Sequence, residues 1–210
     1  MDDLERLMGP WLLDDVPAGH DAWPAVRAWV ADARNDVLVV PADDLDGERA
    51  LWELGLTETA VLGAIALHAA AILVDHGWVR VHGARLLTRS TLDPRQGLLI
   101  AHDAIGGQFA LDAGGITGVA GEVVYRPPGG LEWQSMDRTH EDWLRWLLGE
   151  DLGPFYGDVR WPGWEREVLG LPLGDVLRLS PPPFTGEAWD AAAARRERVP
   201  GHGALSLAPA

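Results

Sequence analysis

The 210-residue chain has no cysteine and no lysine, two tyrosines and three phenylalanines, and no long uninterrupted apolar run. Without cysteine there is neither a disulfide nor a thiolate-ligated zinc, and the compartment has to be argued from other features. The apolar stretch over residues 60–74 is broken by Gly63 and His68 and falls short of the roughly 18 residues that a membrane span needs. The start, MDDLERL, is acidic, whereas a secretory signal takes a basic start followed by an apolar core. These features predict a cytoplasmic address. With lysine missing, all 17 basic residues are arginine, and 32 acids outnumber them to give a net charge of −15. The imbalance is steepest at the front, where residues 1–60 hold 14 acids against 4 arginines. Such a field argues against nucleic acid and anionic membrane as partners, because neutralising phosphates takes a basic face. It suits a basic partner, or simply solubility.

What the chain does have is apolar content of 47% and eleven tryptophans. The first is enough for one well-filled domain. Tryptophan fills cores and also marks binding surfaces, since it buries a large area while keeping one N–H donor. The organising stretch is Gly97–Trp133, GLLIAHDAIGGQFALDAGGITGVAGEVVYRPPGGLEW. It reads as three or four short antiparallel strands closed by glycines and prolines. Leu99, Ala101, Phe109, Leu111, Val123 and Tyr125 recur with period two, so one sheet face should be apolar and covered by helices.

The flanking segments read as cover for this sheet. Leu4, Leu7, Met8, Trp11 and Leu12 recur at helical spacing, but Gly9-Pro10 divides them into two pieces. A helix with Asp21 as cap and Pro24 in its first turn puts Trp23, Val26, Trp29, Val30 and Ala33 on one face. Val37–Val40 is a short strand. Asp46–Leu54 is a small helix with Gly55 as its left-handed end. Thr59 is the expected cap of an apolar helix reaching His68, and strands at 71–75 and 78–82 surround a His76-Gly77 turn. Residues 84–96 read as a loop. Thr139-His140-Glu141-Asp142 resembles a capping box and opens a helix bearing Trp143, Trp146 and Leu147. Pro162 fits the first turn of a further short helix that Gly170 closes. From Pro181 the composition turns to proline, alanine and glycine, with fraying expected from about Pro200.

No HExxH, GxSxG, Walker or EF-hand spacing occurs, and the pair Gly106-Gly107 joins two strands rather than a strand and a helix. No cofactor is predicted. No metal is predicted either, because the seven histidines lack the short paired spacing of zinc sites. Two adjacent acid–imidazole pairs stand at strand ends, Asp75-His76 and His102-Asp103. Such pairs can orient a general base or hold a metal, but neighbours along a strand point to opposite faces. Tyr156, Trp161 and Trp164 lie close together in FYGDVRWPGWE, either as helix-to-sheet packing or as an aromatic binding patch. The candidate binding residues are therefore Asp75, His76, Gly77, Trp78, His102, Asp103, Trp133, Tyr156, Trp161 and Trp164, with no catalytic residue assigned.

The order AWPAVRAWV, LGAIALH, ILVDHGWVRVHG, LLIAHDAIGGQFALDAGG, GEVVYRPPGGLEW, DWLRWLLGEDLGPFY and RWPGWE resembles a bacterial family, domain of unknown function 2625, from about Trp23 to Trp164. Its sheet segment is more distantly similar to the SUKH superfamily, which includes toxin-immunity proteins and cell-wall regulators. The chain departs from the first family at Ala70-Ala71, at Gly83-Ala84-Arg85 and at Pro128-Gly129-Gly130, turns that are usually richer in glycine or differently built. The resemblance identifies no catalytic residues. It implies a SUKH-like α+β fold.

The reading is thus a single α+β domain over residues 1–180, with a mainly antiparallel sheet, helices packed on one face, and a Pro/Ala/Gly-rich C-terminal extension over 181–210. The leading function is a cytoplasmic protein-binding module of the immunity kind, occluding a basic partner such as a toxin. The alternatives are a small hydrolase or metal-dependent enzyme using His76, His102 and Asp103, and a stress or housekeeping protein that binds a small molecule.

Overall fold

Alternation in the middle of the chain produces a seven-stranded antiparallel sheet in which spatial order follows sequence order. The computed structural model describes residues 21–90, 92–183 and 189–201. The strands are β1 (Val37–Pro41), β2 (Ala69–Val74), β3 (Val79–His82), β4 (Gly97–Asp103), β5 (Gln108–Asp112), β6 (Glu122–Arg126) and β7 (Gln134–Thr139). The helices are α1 (Trp23–Ala31), α2 (Asp44–Leu54), α3 (Val61–His68), α4 (Ala84–Leu87), α5 (His140–Gly149), α6 (Gly153–Tyr156) and α7 (Trp164–Leu169). A separate hairpin, β8 (Asp175–Ser180) with β9 (Arg195–Pro200), completes the described chain. The class is α+β, as the patterning predicts.

One sheet face carries Val74, Val79, Val81, Ala101, Phe109, Leu111, Val123 and Tyr125, which share a single core with Val26 of α1, Ile65 of α3 and Trp143, Leu144 and Leu147 of α5. Phe109 and Leu111 are buried as expected, and the Phe109 ring lies 5.3 Å from that of Trp143. Leu99 is the exception in the period-two set. The register of β4 against β5 slips between Leu99 and Ala101, so Ile100 is an extra residue and Leu99 turns to the other face. There it packs with Ala110 and Val124 under Leu92, Ile116 and Trp133.

Local chemistry accounts for most ends. Thr139 caps α5 by accepting from the Asp142 amide at 3.2 Å, and Asp43 caps α2 by accepting from Leu45 at 3.1 Å. Gly55 ends α2 at φ 64°, as expected. Several expectations change, the Asp21 cap of α1 among them, since its cap position is Ala22. The Thr59 side chain does not cap α3, whose cap position is Ala60. Residues 84–96 are not all loop, since Ala84–Leu87 forms α4. The Leu131–Trp133 triplet precedes rather than forms the last strand. Pro162 also falls outside α7, which starts after a left-handed Gly163.

The boundary expected at residue 180 runs through the β8–β9 hairpin, with β9 supplied by the Pro/Ala/Gly-rich extension. The Leu177 amide donates to Ala104 at 2.7 Å, and Leu177, Leu179 and Ala191 join the main core. Buried Val176, Leu177 and Leu179 provide the apolar burial that a detached tail lacks. The helical spacing at Leu4–Leu12 and the fraying end lie outside the described residues, apart from Pro200 and Gly201. Among the described residues no helix is long and apolar enough to cross a membrane.

Candidate functional site

Asp75, His76, Gly77 and Trp78 make the β2–β3 turn. Asp75, His76 and Gly77 stand at φ 53°, 54° and 80°, and the Trp78 amide donates to Asp75 at 2.8 Å. This is a mirror-image hairpin turn with His76-Gly77 at its centre, the geometry that suits the twist of antiparallel strands. Asp75 pairs with Arg160, whose guanidinium lies 4.3 Å from the Trp164 ring and 4.9 Å from the Trp78 ring. Trp78 in turn meets Tyr156, Trp161 and Trp164 edge-on or tilted at 5.0–5.8 Å. The structure therefore gathers seven of the ten candidate residues at one end of the sheet, around an arginine that the sequence reading overlooked.

These aromatics are not a surface, however. Trp78, Tyr156, Trp161 and Trp164 are all buried. Packing explains them: the segment from α6 to α7 folds over the sheet end, and a cation among rings completes it. Trp161 donates to Glu167 at 2.9 Å, and Arg196 of β9 lies over its ring, which attaches the hairpin to the same cluster.

Asp103 is wholly buried beside this cluster. Its Oδ1 accepts from Ile105 at 3.1 Å and Gly107 at 2.7 Å, and its Oδ2 accepts from the Tyr125 hydroxyl at 2.8 Å. A Cβ on Gly107 would stand 2.2 Å from that Oδ2, so only glycine lets the β4–β5 turn close on the carboxylate. Burial pushes the carboxyl above its usual value, against the donors and the Arg80 charge. Burial and the same carboxylate raise Tyr125 and Tyr156 well above an ordinary phenol. Asp103 is thus a turn-closing group, and its oxygens are engaged.

His102 faces the other way. Its Nδ1 lies 2.7 Å from His82 Nε2, both rings being buried. Trp133 stacks on Arg126 at 4.7 Å on that same face. His76, in contrast, faces Asp36 at 3.7 Å and Trp164. The three residues of the His–His–Asp alternative lie in different settings: His76 beside Asp36 and Trp164, His102 beside His82, and Asp103 under Tyr125 and its turn amides. No group of three or more acids and imidazoles positioned for a metal occurs among the described residues.

The exposed aromatic surface is elsewhere. α2 lies on α3 through Gly47, where a Cβ would meet the Leu67 carbonyl at 2.2 Å. Its outer face presents Trp52 at 84% exposure and Leu45, seven residues earlier on the same stripe, at 75%. Beside them opens a cleft of about 630 Å³ lined by Leu51, Leu54, Leu56, Leu87 and Leu98, with Thr57 and Thr88 as polar lining. Residues 43–58 carry six acids and one arginine. Leu45 falls outside the helix expected over Asp46–Leu54, which is why its seven-residue spacing from Trp52 is not part of that pattern.

A family model described as "Protein of unknown function DUF2625" matches residues 13–203. A Haemophilus influenzae "Uncharacterized protein" is 29% identical over 196 residues, covering 86% of this chain and 82% of its own length. An Escherichia coli "Putative uncharacterized protein YbfG" is 31% identical over 176 residues, covering 79% and 82%. No solved structure matches. The DHGW turn, the Asp103-to-Gly107 turn and the RWPGWE aromatics that carried the resemblance are the parts that build one buried cluster, and the chain belongs to the DUF2625 family.

Proposed function

We propose that the chain is a protein-binding module that acts by occlusion, and that the outer face of α2 is its binding surface. The observation that carries this reading is Trp52, held 84% exposed with Leu45 beside an apolar cleft, within a strongly acidic segment. An exposed indole costs free energy when left in water and becomes a hot spot when a partner buries it. The acids around it steer a basic partner and set its orientation. The toxin-neutralising version draws on the SUKH-like pattern of the central stretch and on a charge of −15 facing basic proteins such as nucleases. Occlusion asks for shape and charge rather than a reactive pair, which agrees with the engaged oxygens of Asp103.

The test retains proteins from the native host on the wild-type chain and on the double variant Leu45→Asp, Trp52→Asp. Each retained protein is identified, purified and timed for association at low and at physiological salt. A basic protein held by the wild type alone, associating more slowly as salt rises, is the expected result. The double variant should keep its stability within about 0.5 kcal/mol, since both side chains are exposed. Identical retention by both chains, or association indifferent to salt, overturns the reading.

A further inference from the structure

The sheet face turned away from α3 carries a polar row that the binding surface on α2 does not explain. Ladder register sets Arg80 opposite His102, His102 opposite Gln108, and Gln108 opposite Arg126, one residue from each of β3, β4, β5 and β6. Directly opposed residues in an antiparallel sheet point to the same face. The row is therefore contiguous, with His82 hydrogen-bonded to His102 beside it. Arg80, His102 and Gln108 are buried, whereas Arg126 and its stacking partner Trp133 are half-buried, so the row meets solvent at the Arg126 end.

The charge of this row is one-sided. Arg80 spends its guanidinium on the carbonyls of Asp175 at 2.6 Å and Val168 at 3.2 Å. Arg126 donates to the neutral Gln108 Oε1 and stacks on Trp133, and no carboxylate pairs with it among the described residues. The acids of the same face are taken elsewhere: Asp112 by the amides of Gly114, Ile116 and Thr117, and Glu122 by Thr117 and Ser135. Gln108 Nε2 is buried with no hydrogen-bond partner among the described residues. In a chain with 32 acids, a half-buried arginine without a counter-charge stands out, because a desolvated cation is unfavourable unless an anion compensates. A donor fork and an orphaned amide side by side are the groups a carboxylate accepts from.

We propose that the Arg126–Gln108 end of this row binds the carboxylate of a small monocarboxylic acid, with the Trp133 ring against its apolar part. A single negative charge matches the one guanidinium at the solvent end of the row, Arg80 being held at the buried end by carbonyls, whereas a phosphate dianion leaves one charge uncompensated in a half-buried site. This site is independent of the α2 surface.

The test titrates the ¹⁵N-labelled full chain with benzoate and, separately, with inorganic phosphate, following side-chain and backbone signals. Saturable one-to-one binding of benzoate is expected, with shifts at the Trp133 indole and the Gln108 side-chain amide and no saturable response to phosphate. Arg126→Gln should weaken benzoate at least about tenfold, the loss of a charge-assisted fork. Gln108→Leu should weaken it as well. If Arg126→Gln does not fold, Arg126→Lys serves, since a point charge without the fork also binds more weakly. Absence of saturable binding by the wild type, shifts confined to other residues, phosphate binding as tightly as benzoate, or an unchanged affinity in the arginine variant each overturn the proposal.

Discussion

Replacing Tyr125 by phenylalanine isolates one hydrogen bond to a fully buried carboxylate. The ring stays where it is, 4.7 Å from Phe109, and only the hydroxyl that donates to Asp103 Oδ2 at 2.8 Å is removed. A hydrogen bond to a charged group contributes about 1.5–3 kcal/mol. The expected loss near neutral pH is about 2 kcal/mol, which lowers the melting temperature of a domain this size by about 4–8 °C. The size of the loss should depend on pH, and its sign follows from linkage. Burial already raises the Asp103 carboxyl in the folded state. A carboxyl raised by folding contributes stability that is complete below its unfolded value and is lost as pH rises through its folded value. Tyr125 opposes that rise, so the phenylalanine variant has the higher folded value and loses more on ionisation. Urea denaturation at neutral pH and at a pH below the unfolded carboxyl value measures both effects. A variant equal to the wild type at neutral pH, or one whose deficit does not shrink in acid, refutes the account of Asp103 as an ionisable group held by its turn.

His140, the first residue of α5, is buried with neither ring nitrogen bonded among the described residues, and burial lowers it from 6.5 to about 4. Its depressed folded value makes stability present above pH 6.5 and lost as pH falls toward 4, by at most about 3 kcal/mol; His140→Leu should flatten that part of the stability curve, and an unchanged slope contradicts it. Arg80→Met keeps the side-chain stem but removes the donors to Val168 and Asp175. It should speed hydrogen exchange in Val176–Leu179 more than in β5, with a stability loss of about 2 kcal/mol; equal protection in both strands rejects it. Gly77 stands at φ 80°, where a branched side chain costs about 1–2 kcal/mol, while the half-exposed His76 makes a 3.7 Å approach to Asp36 and an edge contact at 6.0 Å with Trp164. Thermal melts should therefore place Gly77→Val well below His76→Ala, and the reverse order discards the turn assignment.

Period-two alternation marks the helix-covered face because Phe109, Leu111, Val123 and Tyr125 are all buried and the signal is repeated in adjacent strands. The one misassigned member, Leu99, follows from a bulge at Ile100, and nothing in GLLIAHD marks which residue is the extra one. The C-terminal hairpin escaped for a different reason. β8 has its own alternation, but β9 reads RRERVP and owes its place to pairing with β8 and to Arg196 over Trp161, contacts between residues far apart in sequence. Tryptophan identity likewise says nothing about exposure: Trp78 and Trp52 are equally apolar, yet one is enclosed and the other outward.

The candidate site shows the same limit from the side of chemistry. Asp75-His76 and His102-Asp103 look alike as dipeptides, yet each is divided by its backbone. In the first pair a left-handed turn sends Asp75 to Arg160 and His76 to Asp36. In the second, strand alternation sends Asp103 into the helix-covered core and His102 to the opposite face. What adjacency separates, register joins: His102, Gln108 and Arg126 lie 6 to 24 residues apart in sequence but share one line across three strands. A functional constellation on a sheet is written across the ladder rather than along the strand. Polar residues at paired positions of successive strands carry that signal, and in this chain the pattern runs from His102, which adjacency also singles out, to Gln108 and Arg126, which it does not.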